Sequence, residues 1–326
     1  MTESTQKILV TGAAGFLGSH LADSLIAAGH HVVALDNLSM GSAANLAQHE
    51  NNPRFRFVQA DVTDAAAFAT QDGDFDSIVH LAAFKIPRYG KAIDTLRINY
   101  QGTDNALAFA ARIGRKCVIA STSDIYGRNP KIPFAEDSDS VIGSSTVPRW
   151  AYAVSKLFDE HLAFAYQDSY GIPVTVLRFF GSFGPRQHLS WWGGPPPVFI
   201  NAAFNGEEIP VHGDGLQTRS FTYIDDCLAG VQRLMHSEVT EPLNIGSDQM
   251  VTVNELLDIV ERIAGIRLKR VYDLSAPKGV RGRNSNNDRI KKLLDWAPSI
   301  RLESGMEKTY AWIHDEIVSG RESKLA

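Results

Sequence analysis

Tyr152 and Lys156, four apart in Tyr-Ala-Val-Ser-Lys, would stack on one face of a helix. An ammonium held beside a phenol favours the phenolate and brings its pKa down from about 10 toward neutrality. Such a group can take the proton of an alcohol while hydride leaves the same carbon. A lone Tyr–Lys match is also a common helix-surface pair, so it needs company. It has some in Ser121-Thr122-Ser123-Asp124-Ile125-Tyr126-Gly127, which follows an apolar run and reads as the end of a strand. With the chain still extended there, Thr122 and Asp124 project to one side, two residues apart. Thr122 is then placed to hydrogen-bond the reacting oxygen alongside Tyr152; Ser123, between the two, is a candidate substrate contact. Asp124 is the informative residue, because hydride transfer at one carbon needs no second carboxylate. It points to a further proton transfer or to a polar group near the reacting carbon; the plain alternative is an aspartate capping the next turn.

A departing hydride needs an acceptor. Directly after the first apolar run stands Thr11-Gly12-Ala13-Ala14-Gly15-Phe16-Leu17-Gly18, a glycine turn opening a helix. Gly12 and Gly15 let the backbone approach a pyrophosphate, with Phe16 and Leu17 against the same ligand, and Gly18 lets the helix lie close on the sheet. The second apolar run ends in Asp36-Asn37, about 20 residues beyond the glycines, where an adenosine ribose would lie. Asp36 there accepts from the 2′ and 3′ hydroxyls and repels a 2′-phosphate, favouring NAD over NADP; otherwise it is a solvated strand-end aspartate. Asp61-Val62 and Leu81-Ala82-Ala83 follow the third and fourth runs, on the edge where an open α/β sheet binds ligand.

The second half supplies cations in glycine-rich loops: Arg186, Arg219, Arg281 and Arg283. Guanidinium forks suit a diphosphate, and Arg219 and Arg283 are the preferred pair, although each arginine alone fits a surface salt bridge equally well. Lys85 and Arg88 stand just past the fourth run, where they can hold a sugar carboxylate or simply be solvated. Trp191-Trp192 can stack on a base or pack within its Pro-rich loop.

The elements that must position these groups follow from the pattern. Ile8–Val10, Val32–Leu35, Phe55–Val58, Ser77–His80, Lys116–Ala120 and Val174–Arg178 read as strands. Helices are expected from about Gly18 to Ala28, Ile93 to Ile113 and Trp150 to Tyr170. That alternation predicts an α/β fold, a Rossmann-type doubly wound parallel sheet over 1–178. Residues 179–326 are expected to form mainly a smaller substrate-binding lobe, with a segment near 221–248 returning to the sheet through Leu243–Ile245.

The chain has 326 residues, 44% of them hydrophobic, which excludes a disordered or fibrous protein. A net charge of -5 opposes general binding to nucleic acid or an anionic membrane, so any phosphate must be met locally. The two cysteines, Cys117 and Cys227, sit in apolar surroundings and signal neither a disulfide nor a metal site. With no export pattern at the N-terminus and no apolar run near the roughly 20 residues of a membrane span, a cytoplasmic address is expected.

With Gly12, Gly15, Gly18, Thr122, Tyr152 and Lys156 assembled, the chain resembles the NAD-dependent epimerase/dehydratase family of extended short-chain dehydrogenases over nearly its whole length. The resemblance implies tightly held NAD, contacted also by Lys156, and a nucleotide-diphosphate sugar oxidised at C4 by the Tyr152/Lys156 pair. It implies return of the hydride once the intermediate has changed, and a homodimer built on the two long helices flanking the fifth strand. Two subfamily likenesses compete. Gly213 to Thr222, Leu243 to Asp248 and Gly279 to Ser285 look like GDP-mannose 3,5-epimerases. Those use a cysteine where Asp124 stands and a partner lysine, and no lysine occurs here between Lys156 and Lys269. Ser121 to Gly127 and Pro148 to Lys156 look like UDP-glucuronate decarboxylases, which carry glutamate at the place of Asp124. Both decarboxylases and many epimerases have asparagine where Gly181 stands. The reading adopted is an NAD-dependent nucleotide-sugar epimerase working through a transient 4-keto sugar. UDP-glucuronate decarboxylation is the alternative, since a C4 ketone makes a C5 carboxylate a β-keto acid. A catalytically silent NAD-binding module is the third reading, opposed by the intact Thr122, Tyr152 and Lys156.

Overall fold

Ile8, Leu9 and Val10 are wholly buried without alternation, as befits a strand covered by helices on both faces. In the computed structural model, which describes residues 4–71, 74–85, 91–275 and 280–320, they form the centre of β1 (Lys7–Thr11). Arg88 and Gly279, both singled out in the sequence, lie outside the described residues. The other expected strands follow: β2 (His31–Asp36), β3 (Phe55–Gln59), β4 (Ser77–His80), β5 (Lys116–Thr122) and β6 (Val174–Phe179). With Leu243–Ile245 they make a seven-stranded sheet in the order Leu243–Ile245, β6, β5, β4, β1, β2, β3. β1 pairs in parallel with β2 and β4, β2 with β3, and β4 with β5. The chain order reverses between β1 and β4, so a crevice opens there at the carboxyl ends of the strands. The register sets Thr11 opposite both Leu35 and His80 across that switch point.

The crossovers are α1 (Phe16–Ala27), α2 (Ala65–Ala69), α3 (Ala92–Ile113) and α4 (Trp150–Tyr170). α1 begins two residues before the expected Gly18, because Gly15, in extended conformation, serves as its N-cap. α3 and α4 both stop at a glycine in the left-handed region, Gly114 (φ 62°) and Gly171 (φ 68°), where a side chain would be strained. Ala106, Leu107, Phe109 and Ala110 of α3 close over Leu9, Ile78, Ile119 and Val176 of the sheet in one apolar core. Cys117 lies in the same core, where burial pushes its thiol up, and Cys227 is equally buried, with its thiol pushed up to about 12.

Two units are distinguishable. The first comprises 1–127, 140–178 and 228–243; the second takes 128–139, 179–227 and 244–326. In the second, Ile209–His212 pairs in parallel with Arg270–Asp273, and Thr218–Ser220 antiparallel with Met250–Thr252. Its helices include Pro195–Asn205, Val253–Ala264 and Leu302–Val318. Asp226 fixes a loop there by accepting from the amides of Ser299 and Ile300. No helix among the described residues is long and apolar enough to cross a membrane.

Candidate active site

The glycine turn is built for a ligand that needs backbone rather than side chains. Gly12 has φ 67°, and a Cβ on it would stand 2.8 Å from the Ala82 amide nitrogen. A Cβ on Gly18 would stand 2.2 Å from the Gly12 carbonyl oxygen, so only glycine lets α1 close onto the turn. No side chain caps α1, and its first turn holds no acid, which leaves the opening amides at Phe16 and Leu17 for an anion. Asp36 does more than end β2. Its carboxylate accepts from the amides of Ala14 (2.9 Å) and Leu38 (2.8 Å), tying the glycine turn to the next loop. Burial raises its pKa, and those two amides pull against the rise. Each oxygen keeps lone-pair capacity for a ribose hydroxyl. Asn37 donates to Asp61 across the same edge (2.8 Å), and Val62 packs against Gly102, where a Cβ would meet it at 2.8 Å. Leu81, Ala82 and Ala83 are half-buried, and Ala82 donates to the Thr11 hydroxyl (3.3 Å). A turn that admits no Cβ, an uncapped helix start and an acid at the second strand end fit a dinucleotide, NAD.

From Thr11 a buried line leads through His80 toward Lys156. The Thr11 hydroxyl, accepting from Ala82, is also hydrogen-bonded to His80 Nδ1 at 2.8 Å. Burial, and then the charge of Lys156, push His80 down to about 3, so the ring is neutral. Lys156 is only 1% exposed. Tyr152 lies one turn earlier on α4, half-buried. Thr122 caps the turn after β5, its hydroxyl accepting from the Asp124 amide (3.2 Å) and also bonding the Tyr152 phenol. The chain is thus not extended to Asp124, as expected, but folds into a 3-10 turn over Ser123–Tyr126. The cap, rather than strand alternation, brings Asp124 toward the phenol. Ser123 is buried in that turn.

The Tyr152 phenol is pushed up, first by burial and then by the negative charges of Asp124 and Asp159, with only the Thr122 bond opposing. The Lys156 ammonium is engaged 2.8 Å away by Asp159.

Residues that sequence reasoning passed over hold this centre in place. Arg178 at the end of β6 grips Glu160 of α4 with Nη2 to Oε2 at 2.7 Å, and its Nη1 donates to the Tyr126 hydroxyl at 2.9 Å. Ser121 donates to the same carboxylate. Both ends of the turn bearing Thr122 and Asp124 are therefore anchored to one buried ion pair. Asn99 of α3 accepts from the Phe84 amide (2.7 Å) and donates to Ser155 (2.9 Å), joining the loop of Lys85 to the Tyr152–Lys156 stretch of α4. Lys85 is exposed by surface area, and desolvation lowers its pKa while the charge of Asp124 opposes that. The spacing of Asp159 and Glu160, three and four beyond Lys156, was the available signal.

In the second unit the amides of Thr218 and Ser220 donate to Arg281 and Arg283, so Arg219 and Arg283 ride on adjacent segments. Arg219 Nη1 also donates to the Thr218 carbonyl (2.7 Å). Arg281 points instead to Asp214 at the surface, 3.6 Å away. Arg186 is half-buried in a left-handed turn (φ 63°). Trp191 packs on Phe199 and His212 within its loop. At Gly181 a Cβ would lie 2.4 Å from the Ser220 carbonyl oxygen, which accounts for the absence of the asparagine expected there.

Comparison with known proteins agrees with this geometry. The chain is 31% identical to a UDP-N-acetyl-alpha-D-glucosaminuronate decarboxylase of Bacillus cytotoxicus, over 95% of this chain and 98% of the other. It is 33% identical to UDP-glucuronic acid decarboxylase 1 of Xenopus tropicalis, over 96% of this chain and 73% of that one. The crystal structure of UDP-glucuronic acid 4-epimerase from Bacillus cereus, solved with UDP-glucuronic acid and NAD, superposes with a TM-score of 0.84 at 30% identity, covering 95% of this chain and 99% of that one. Residues 8–246 match the family model of the NAD dependent epimerase/dehydratase family. With the glycine turn, the buried Tyr152/Lys156 helix and these likenesses together, the chain belongs to the NAD dependent epimerase/dehydratase family and uses NAD.

Proposed function

We propose that this enzyme epimerises a nucleotide-diphosphate sugar through a transient 4-keto intermediate. The observation that carries the reading is the gathering of Tyr152, Thr122 and Asp124 in mutual reach at the carboxyl edge of the sheet, linked through Lys156 and His80 to the glycine turn. NAD, when bound, supplies the hydride acceptor and donor and a positive charge at the nicotinamide that favours the phenolate. Thr122 orients the sugar C4 oxygen against Tyr152, and the phenol oxygen takes the C4 hydroxyl proton. Tyr152 gives a proton back when the turned-over ketone is reduced. Asp124 handles a neighbouring proton or polar group, and Ser123, Lys85, Arg88, Arg186, Arg219 and Arg283 are the proposed substrate contacts.

A second reading, decarboxylation of a UDP-uronate, is favoured by one specific feature: the Lys85 ammonium lies in the field of Asp124 beside the phenol, a suitable cation for a C5 carboxylate. Relatives that decarboxylate uronates point the same way. Incubation with UDP-, GDP- and dTDP-sugars, uronic acids included, followed by product mass, separates the two. An isomer of unchanged mass supports epimerisation, and loss of carbon dioxide replaces it with decarboxylation. No turnover of any sugar with NAD still bound removes both.

The enzyme is further proposed to be a homodimer. α3 exposes Ile93, Leu96 and Tyr100, and α4 exposes Val154 and Phe158, with Tyr100 and Phe158 edge-to-face at 5.5 Å. Two long helices carrying adjacent exposed apolar side chains form a patch that a second copy can cover by two-fold symmetry. Phe158→Glu is expected to give a monomer in sedimentation where the unaltered chain is a dimer. An unchanged mass would exclude this face.

A further inference from the structure

Asp159 stands three residues beyond Lys156 on α4, its Oδ2 2.8 Å from the Lys156 Nζ, with the two side chains 0% and 1% exposed. Burying either charge alone would cost several kcal/mol, so each is tolerated on account of the other. The carboxylate has no second hold, because its Oδ1 is buried and takes no hydrogen bond among the described residues. An acid that ties elements together spends both oxygens, as Glu160 does on Arg178 and Ser121. Asp159 spends one, on the ammonium expected to activate the phenol. Its negative charge reaches Tyr152 and joins burial and Asp124 in keeping the phenol protonated.

Taking Tyr152 as the base, as in the reading above, we propose that Asp159 is a positioning residue that holds the Lys156 ammonium and cancels its charge until bound NAD competes for that ammonium. The lysine is then available to the phenol only in the loaded enzyme, and the empty enzyme carries an inert tyrosine. The groups around the pair are few. Tyr152 and Lys156 lie on α4 itself, Asp124 on the turn after β5, His80 at the end of β4 and Lys85 just beyond it. α3 packs against α4, and its Thr95, Asn99 and Thr103 are neutral polar side chains that are buried. His80 is neutral above about pH 3, which leaves Asp124 and Asp159 as the anions that hold the phenol up and Lys156 and Lys85 as the cations able to bring it down.

The test is the phenolate absorbance of Tyr152, taken as the difference between the chain and its Tyr152→Phe variant, with NAD stripped and with NAD bound. In stripped protein at a fixed alkaline pH, Asp159→Asn is expected to raise the phenolate fraction about tenfold, a shift of about one pH unit. With NAD bound the difference should shrink below about threefold, because the ammonium then faces the phenol in both proteins. A purely structural Asp159 would lower the melting temperature and leave the titration of stripped protein where it was, and that result overturns the proposal. If Asp159→Asn does not fold, the double variant Lys156→Met/Asp159→Asn, which removes the buried pair together, carries the test. Two charges that already cancel predict less than about a threefold change in stripped protein, and a tenfold loss of phenolate contradicts it. The titration uses no substrate, so its failure leaves the sugar chemistry standing, and a lack of turnover on every sugar leaves the titration standing.

Discussion

Tyr152→Phe is expected to lower turnover by about 10² or more while NAD stays bound. The substitution removes one oxygen and keeps the ring, so the half-buried packing of α4 is preserved. That oxygen bonds Thr122 and stands in the field of Asp124, the one place in the described site where a hydroxyl, a carboxylate and a phenol converge. Thr122 alone cannot replace it, since an aliphatic hydroxyl is a far weaker acid than a phenol and cannot relay the proton at neutral pH. NAD retention follows because the glycine turn, the start of α1 and Asp36 are untouched. Turnover on the active sugar, read together with bound nicotinamide after gel filtration, checks both halves. A near-normal rate would remove Tyr152 from the role of base.

The second large effect concerns a residue with no chemistry of its own. Glu160→Ala is expected to cost about 3–5 kcal/mol of stability, because it strands the Arg178 guanidinium in a site where the ion-paired side chains are 9% and 5% exposed. It also frees Ser121 and, through Arg178, Tyr126, the two ends of the turn that presents Thr122 and Asp124. Misplacing reacting groups by about 1 Å can cost about 10² in rate, so surviving folded protein should be slow as well as weak. Denaturant unfolding and turnover of the same preparation read the two effects. A loss under about 1 kcal/mol would mean that the pair is not what holds the turn.

The contrast between these residues shows how far sequence could carry the account. The strands were legible because central parallel strands are continuous apolar runs, and Ser77–His80 appears with the limits read from the sequence. α4 likewise spans Trp150–Tyr170 as expected, since a left-handed glycine ends it. The glycine turn was legible because close backbone approach demands that one residue type. Buried polar partnerships were not. Asp159 and Glu160 look like the solvated face of a helix, and only the packing of α4 against α3 and the sheet turns them inward. For the same reason the spacing of Tyr152 and Lys156 could not show the Asp159 carboxylate that holds the ammonium: a pair rule counts the ammonium but not the acid on it. The turn at Ser123–Tyr126 was missed because Thr122, read as a strand residue, also caps it.

The central claim, that the sugar carbon gives its hydrogen to NAD and takes it back while Tyr152 handles the proton, is tested most directly with a sugar nucleotide deuterated at C4. Product should retain the label at that carbon, with a transient reduced-nicotinamide absorbance that Tyr152→Phe abolishes. Deuterium lost to water during turnover, or turnover without any reduced nicotinamide, would contradict it.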